Sequence, residues 1–160
     1  MTTDLGGRVT PTLARPTSFF TTHDVAAGEA VKVGCLALVQ GGEVFDATPS
    51  NIANGGTPVL VDRGEQTIPD DAETALDNRA DYGTDEAPFG VVARVAHGEV
   101  ALLDVDGSLD GSEAGQEVYA LDNDTVQTSQ PGSEPKVGHI VRVERTGADS
   151  TAFVKIGGLA

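Results

Sequence analysis

Phe89-Gly90-Val91-Val92-Ala93-Arg94-Val95 and Val100-Ala101-Leu102-Leu103-Asp104-Val105, parted by Ala96-His97-Gly98-Glu99, decide the fold class. Both runs are short and rich in β-branched residues, and the break between them holds a glycine. That combination predicts a β-hairpin, with His97 in the turn and facing solvent. A counterpart lies near the end of the chain. Val137-Gly138-His139-Ile140-Val141-Arg142-Val143 and Ala152-Phe153-Val154-Lys155-Ile156-Gly157-Gly158 again read apolar-Gly-x-β-x-Arg-Val, turn, strand, glycine.

Working outward, the same grammar recurs. Val31-Lys32-Val33-Gly34-Cys35-Leu36-Ala37-Leu38-Val39 reads as a nine-residue strand that returns through Gln40–Glu43 into Val44-Phe45-Asp46-Ala47. Pro58–Val61 is a short strand, and Glu117–Leu121 pairs with Thr125–Thr128 across Asp122-Asn123-Asp124. Strands at this spacing, with turn residues between them, predict an all-β fold, a small barrel or sandwich of short antiparallel strands. Ala27-Gly28-Glu29-Ala30-Val31 echoes Ala114-Gly115-Gln116-Glu117-Val118, so an internal duplication is expected, with units 24–107 and 108–158. The second unit has few residues and no staple, so it needs the first, or another chain, to cover it.

Two segments depart from this pattern. Residues 1–22 carry Arg8 and Arg15 against Asp4, with Pro11, Pro16 and the pair Phe19-Phe20. They read as an extended N-terminal arm ahead of a β domain over 23–160, with Arg8, Arg15, Phe19 and Phe20 as candidate docking residues. Residues 62–86 hold nine acids and two bases and read as an acidic insertion. Within it, 69–80 forms either a short helix or an exposed loop.

Composition narrows function. The 160 residues include 20 glycines, no Trp and seven aromatic residues, so the core is built from Val, Leu, Ile and Ala. A net charge of −15 disfavours direct binding to nucleic acid or to an anionic membrane. Asp outnumbers Glu by 15 to 10, and Arg outnumbers Lys by 7 to 3. Short carboxylates hold water and hydrated cations densely, a bias that resembles proteins of salt-loving archaea and their viruses. Cys35 is the only cysteine, which excludes an intrachain disulfide, and it is expected as a small buried hydrophobe. No apolar run is long enough to span a bilayer, and the start of the chain lacks the pattern of a secretion signal.

Chemistry is sparsely signalled. His23, His97 and His139 are scattered without a nucleophile at an interpretable spacing, so no enzyme activity is expected. Residues 104–124 hold seven acids and no base, and Asp104, Asp106 and Asp110 are weak candidates for a hard cation. The helix-loop-helix calcium pattern fails there, because Leu109 stands where Gly belongs and Gly115 where Glu belongs. Nonspecific cation binding to the acidic surface is the only cofactor-like expectation.

The repeated Ala-Gly-x-x-Val strand start, Val118-Tyr119, Phe89-Gly90-Val91-Val92 and the close Ala152-Phe153-Val154-Lys155-Ile156 resemble the small β-rich capsid decoration (cement) proteins of tailed viruses. The resemblance covers 85–158 well and 25–60 loosely. It implies a barrel-like virion protein on the outer surface of an icosahedral capsid, clamping neighbouring copies of the major capsid protein. It also implies a homo-oligomer, most commonly a trimer, and needs no chemistry. A turret, tail or fibre-base component that binds a host surface is the alternative.

Overall fold

The computed structural model describes residues 19–66, 75–77 and 91–157. Twelve strands and one short helix make up these residues: β1 Phe19–Asp24, β2 Ala30–Lys32, β3 Leu36–Gln40, β4 Glu43–Asp46, α1 Pro49–Ala53, β5 Thr57–Gln66, β6 Ala75–Asp77, β7 Val91–His97, β8 Val100–Asp106, β9 Glu117–Ala120, β10 Thr125–Gln127, β11 Lys136–Arg145 and β12 Thr151–Ile156. The fold is all-β. β8 to β12 close into a five-stranded barrel in the order β10-β8-β12-β11-β9, and β1-β7-β5-β3-β4 form a five-stranded sheet.

The sheet and the barrel have the same connectivity. In the sheet, a parallel bridge between Val25 and Val44 brings its two outer strands together. In the barrel, β8 runs parallel to β10, with Val105 opposite Val126. β1, β3, β4, β5 and β7 therefore correspond to β8, β9, β10, β11 and β12. Finer details repeat too. β5 and β11 each span ten residues. Each slips register against its partner at the same place, between Val61 and Arg63 and between Ile140 and Arg142. Gly34 N–H donates to Val61 C=O, and Gly115 N–H to Ile140 C=O, both at 2.7 Å. Val61 N–H returns a bond to Cys35 C=O, as Ile140 N–H does to Gln116 C=O.

This duplication divides the chain differently from the units 24–107 and 108–158. β8 opens the second unit, so the change falls between His97 and Val100. The hairpin expected across Ala96–Glu99 does not form. β7 is already paired on both sides, by β1 and β5, and has no edge to offer β8. Gly98 and Glu99 instead bond to Ile156 of the barrel. The Ala-Gly-x-x-Val echo is also out of register, since the structural twin of Gly115 is Gly34 and not Gly28. The barrel contains a parallel pair, β8 with β10, where only antiparallel strands were expected.

Other elements differ locally. The nine-residue strand over 31–39 splits into β2 and β3 because Gly34, at φ 86°, turns the chain. Val33 is thereby exposed, and Cys35 is half-buried rather than a core residue. Residues 19–22, assigned to the arm, are strand β1; residues 1–18, with Arg8 and Arg15, lie outside the described residues. Of the helix considered over 69–80, residues 75–77 instead pair with β2 as a strand, and most of the acidic insertion lies outside the described residues. The helix α1 had no expectation. Thr48 caps it by accepting from Asn51 N–H at 3.2 Å, and Pro49 sits at its start with its φ already set.

Two apolar clusters hold the fold. Val25, Val31, Ala37, Val44, Val59, Val61, Ala93 and Val95 fill the inside of the curled sheet. The barrel interior, from Leu103 and Val105 to Val154 and Ile156, forms the second cluster. Leu36, Leu38, Ala47 and Ile52 of the first unit join that second cluster. Alternation along β3 explains this: Ala37 points into the sheet, while Leu36 and Leu38 point toward the barrel. Full burial of each of these leucines is worth about 2–3 kcal/mol. The small second unit is covered by the first, as its size demands.

Candidate functional site

The outer faces of the two equivalent three-stranded segments, β1-β7-β5 and β8-β12-β11, are where cationic and aromatic side chains meet. On the first, Arg94 of β7 lies over the Phe20 ring at 4.2 Å. Its Nε and Nη2 both reach Asp62 Oδ2, at 2.7 and 2.5 Å. Thr22, Arg94 and Arg63 stand in one cross-strand row. With Gly64 and Val92 they line a shallow groove of about 450 Å³. On the second face, Leu102, Phe153 and Arg142 form the corresponding row. Arg142 lies over the Phe153 ring at 4.8 Å and pairs with Glu144 at 2.9 Å. Val100, Leu102 and Val141 are exposed around them. All four arginines among the described residues, Arg63, Arg94, Arg142 and Arg145, belong to β5, β7 and β11. On a chain this acidic, such clustering marks these faces off from the rest of the surface.

Phe19 takes the other side of β1. Its ring stacks on His97 at 4.5 Å, with 3° between the planes. His97 is thus a strand residue under an aromatic cover, not a solvent-facing turn residue. Thr21 Oγ1 lies 2.8 Å from His97 Nε2 and 2.9 Å from His23 Nε2. His23 Nδ1 lies 3.0 Å from the Gly42 carbonyl. A carbonyl only accepts, so His23 Nδ1 carries the proton. Thr21 Oγ1 thus bridges the Nε2 atoms of the two imidazoles. This relay ties β1 to β7 and to the β3–β4 turn. Burial, and then the nearby His23, hold the His97 pKa below the usual imidazole value.

The junction of the two units is polar at one point. Asn123 C=O accepts from Leu36 N–H at 2.7 Å, and Asn123 Nδ2 donates to Asp46 Oδ1 at 3.1 Å. Glu29 Oε1 accepts from Asp46 N–H and from Asn51 Nδ2. Burial raises the Asp46 pKa, the Asn123 bond opposes that rise, and the Glu29 carboxylate adds to it. Burial likewise raises the Cys35 thiol, reinforced by Asp124.

The cation candidates are not drawn together. Asp104 and Asp106 project outward from β8. Asp110 accepts from Ser112 N–H and Oγ at 2.9 and 2.6 Å, and these bonds lower its pKa. Glu113 in turn accepts from the N–H groups of Asp110 and Gly111. The loop uses its carboxylates to hold its own backbone. Among the described residues no three of His, Cys, Asp or Glu gather as metal ligands. No helix among them is long and apolar enough to cross a membrane.

Of the docking candidates, Phe19 and Phe20 lie on opposite faces of β1, while Arg8 and Arg15 fall outside the described residues. The sequence reading missed Arg94, Arg142 and Phe153. Their signal was the Arg in each apolar-Gly-x-β-x-Arg-Val echo, but which ring each guanidinium covers depends on cross-strand register. Comparison with protein-family models, curated proteins and solved structures finds no match for this chain.

Proposed function

We propose that this chain is a virion structural protein that decorates the outer surface of an icosahedral capsid and clamps neighbouring copies of the major capsid protein. The host inferred from its surface is halophilic, and the virus tailed. The observation that supports the reading is that each of the two units carries a strand face where an Arg lies over a Phe. Although the two pairs use different strand positions, one molecule thus has two places to hold its neighbours. Arg at such a site keeps its charge and stacks on aromatic planes, which suits contact with acidic protein surfaces.

Co-sedimentation with capsids assembled from the major capsid protein tests this. Removing residues 1–18 leaves β1 whole, and Phe20→Asp changes an exposed side chain under Arg94. We expect the chain to pellet with capsids in molar KCl, and each change to reduce its occupancy several-fold. Failure of the unaltered chain to pellet would sink the reading. Undiminished occupancy in both variants would remove the arm and β1 from it.

A further inference from the structure

We infer that His23 and His97, with the Thr21 hydroxyl between them, form an open binding site for a divalent transition metal, Zn²⁺ first among them, across β1 and β7. The two strands are paired, and both imidazoles turn toward the same atom. Thr21 Oγ1 lies 2.9 Å from His23 Nε2 and 2.8 Å from His97 Nε2. Without metal the three groups make the relay described above. A metal set beside the hydroxyl meets both nitrogens at the zinc–imidazole length of about 2.0–2.1 Å once each ring swings by on the order of 1 Å. All three side chains are half-buried, so the ring movement is unobstructed by the core and the remaining coordination positions fall to water.

Two contacts prepare the pair. His23 Nδ1 lies 3.0 Å from the Gly42 carbonyl, so its proton sits there and the Nε2 lone pair of the neutral ring is left for a ligand. A backbone carbonyl behind the ring is the common outer partner of a metal-bound histidine, because it sets both tautomer and direction. His97 is steadied from its face instead, by the Phe19 ring stacked on it at 4.5 Å. The donor atoms decide which ions enter. Carboxylates elsewhere on the chain suit hard cations such as Mg²⁺, whereas imidazole nitrogen suits Zn²⁺, Cu²⁺ and Ni²⁺. Mg²⁺ therefore occupies the acids and leaves this pair free. A bound ion ties β1 to β7 beyond their backbone pairing. This inference rests on β1, β7 and the β3–β4 turn alone and holds or fails apart from the capsid reading.

Isothermal titration calorimetry of the purified full chain with ZnCl₂, in molar KCl with excess MgCl₂, tests it. The expected result is one saturable Zn²⁺ site per chain. His23→Gln and His97→Gln should each weaken it by at least about tenfold, the least that a change even in an outer partner costs. His139→Gln, on β11, should bind as the parent does. Histidine side-chain NMR of the parent gives a readout that needs no variant. On adding Zn²⁺ the imidazole signals of His23 and His97 should shift together, and those of His139 should stay. Absence of a saturable site in excess Mg²⁺, undiminished binding in His23→Gln or His97→Gln, or shifts at His139 instead overturns the inference.

Discussion

His97 is a strand residue whose ring is enclosed on one side by Phe19 and bonded through Nε2 to Thr21. Burial chiefly, then His23, lowers its pKa from 6.5. Below the unfolded pKa the unfolded chain takes up the proton more readily than the folded chain. The stability from neutral His97 is therefore present above about pH 6.5 and lost as pH falls through the lower folded value. Asp46 has the opposite sign, since its raised pKa favours the folded state as acid is added, but it acts nearer the carboxylate range. Between pH 7.5 and 5.5 the His97 effect should dominate. The melting temperature should fall across that window, and His97→Gln, which keeps a donor for Thr21 but does not titrate, should flatten the slope. Parallel slopes for the two proteins would show that the relay does not couple to stability.

At the scale of the strand, Gly34 and Gly115 occupy twin positions with φ of 86° and 90°. An added Cβ would meet nothing within 4 Å at either site, so the cost of substitution there is conformational. Gly34→Ala and Gly115→Ala should each lower stability by about 1–2 kcal/mol, and by similar amounts, in urea unfolding. Unequal losses, with one near zero, would argue that the twin turns are not equivalent in energy. This equivalence was only half legible in the sequence. Val-rich runs and glycine turns gave away the strands and the β3–β4 and β11–β12 hairpins. The partner of β7 was not legible, because pairing depends on which edges remain free, and β1 had already taken one. The Ala-Gly-x-x-Val match misled for a related reason. Unit one has six more residues between its Ala-Gly and β3 than unit two has before β9, and β2 lies among them and pairs with β6. The candidate faces were less legible still. Phe19 and Phe20 are visible as a pair, but the alternation of a strand sends them to opposite sides.

For the whole molecule the dominant quantity is charge, 25 acids against 10 bases. The four arginines among the described residues gather on β5, β7 and β11, while carboxylates are spread over strands and turns. Asp104 and Asp106 stand exposed on one strand, and Asp110, Asp122 and Asp124 sit in nearby turns. At 0.1 M salt the Debye length is about 10 Å, long enough for neighbouring turns to repel; at 1 M it is about 3 Å, and only contacting pairs still interact. Folding brings these acids together, so screening relieves the folded state more than the extended one. The melting temperature should rise by about 5 °C or more between dilute buffer and molar KCl, corresponding to roughly 2 kcal/mol for a chain of this size. KCl suits the measurement because sulfate also strengthens apolar burial by exclusion from the surface. Screening predicts that most of the rise occurs at low salt and levels off as the Debye length shrinks below the spacing of the acids. An uncharged osmolyte such as sucrose should not reproduce that curve. Equal melting temperatures in dilute and molar KCl would remove the argument that this acidic surface is an adaptation to brine, and with it the halophilic host.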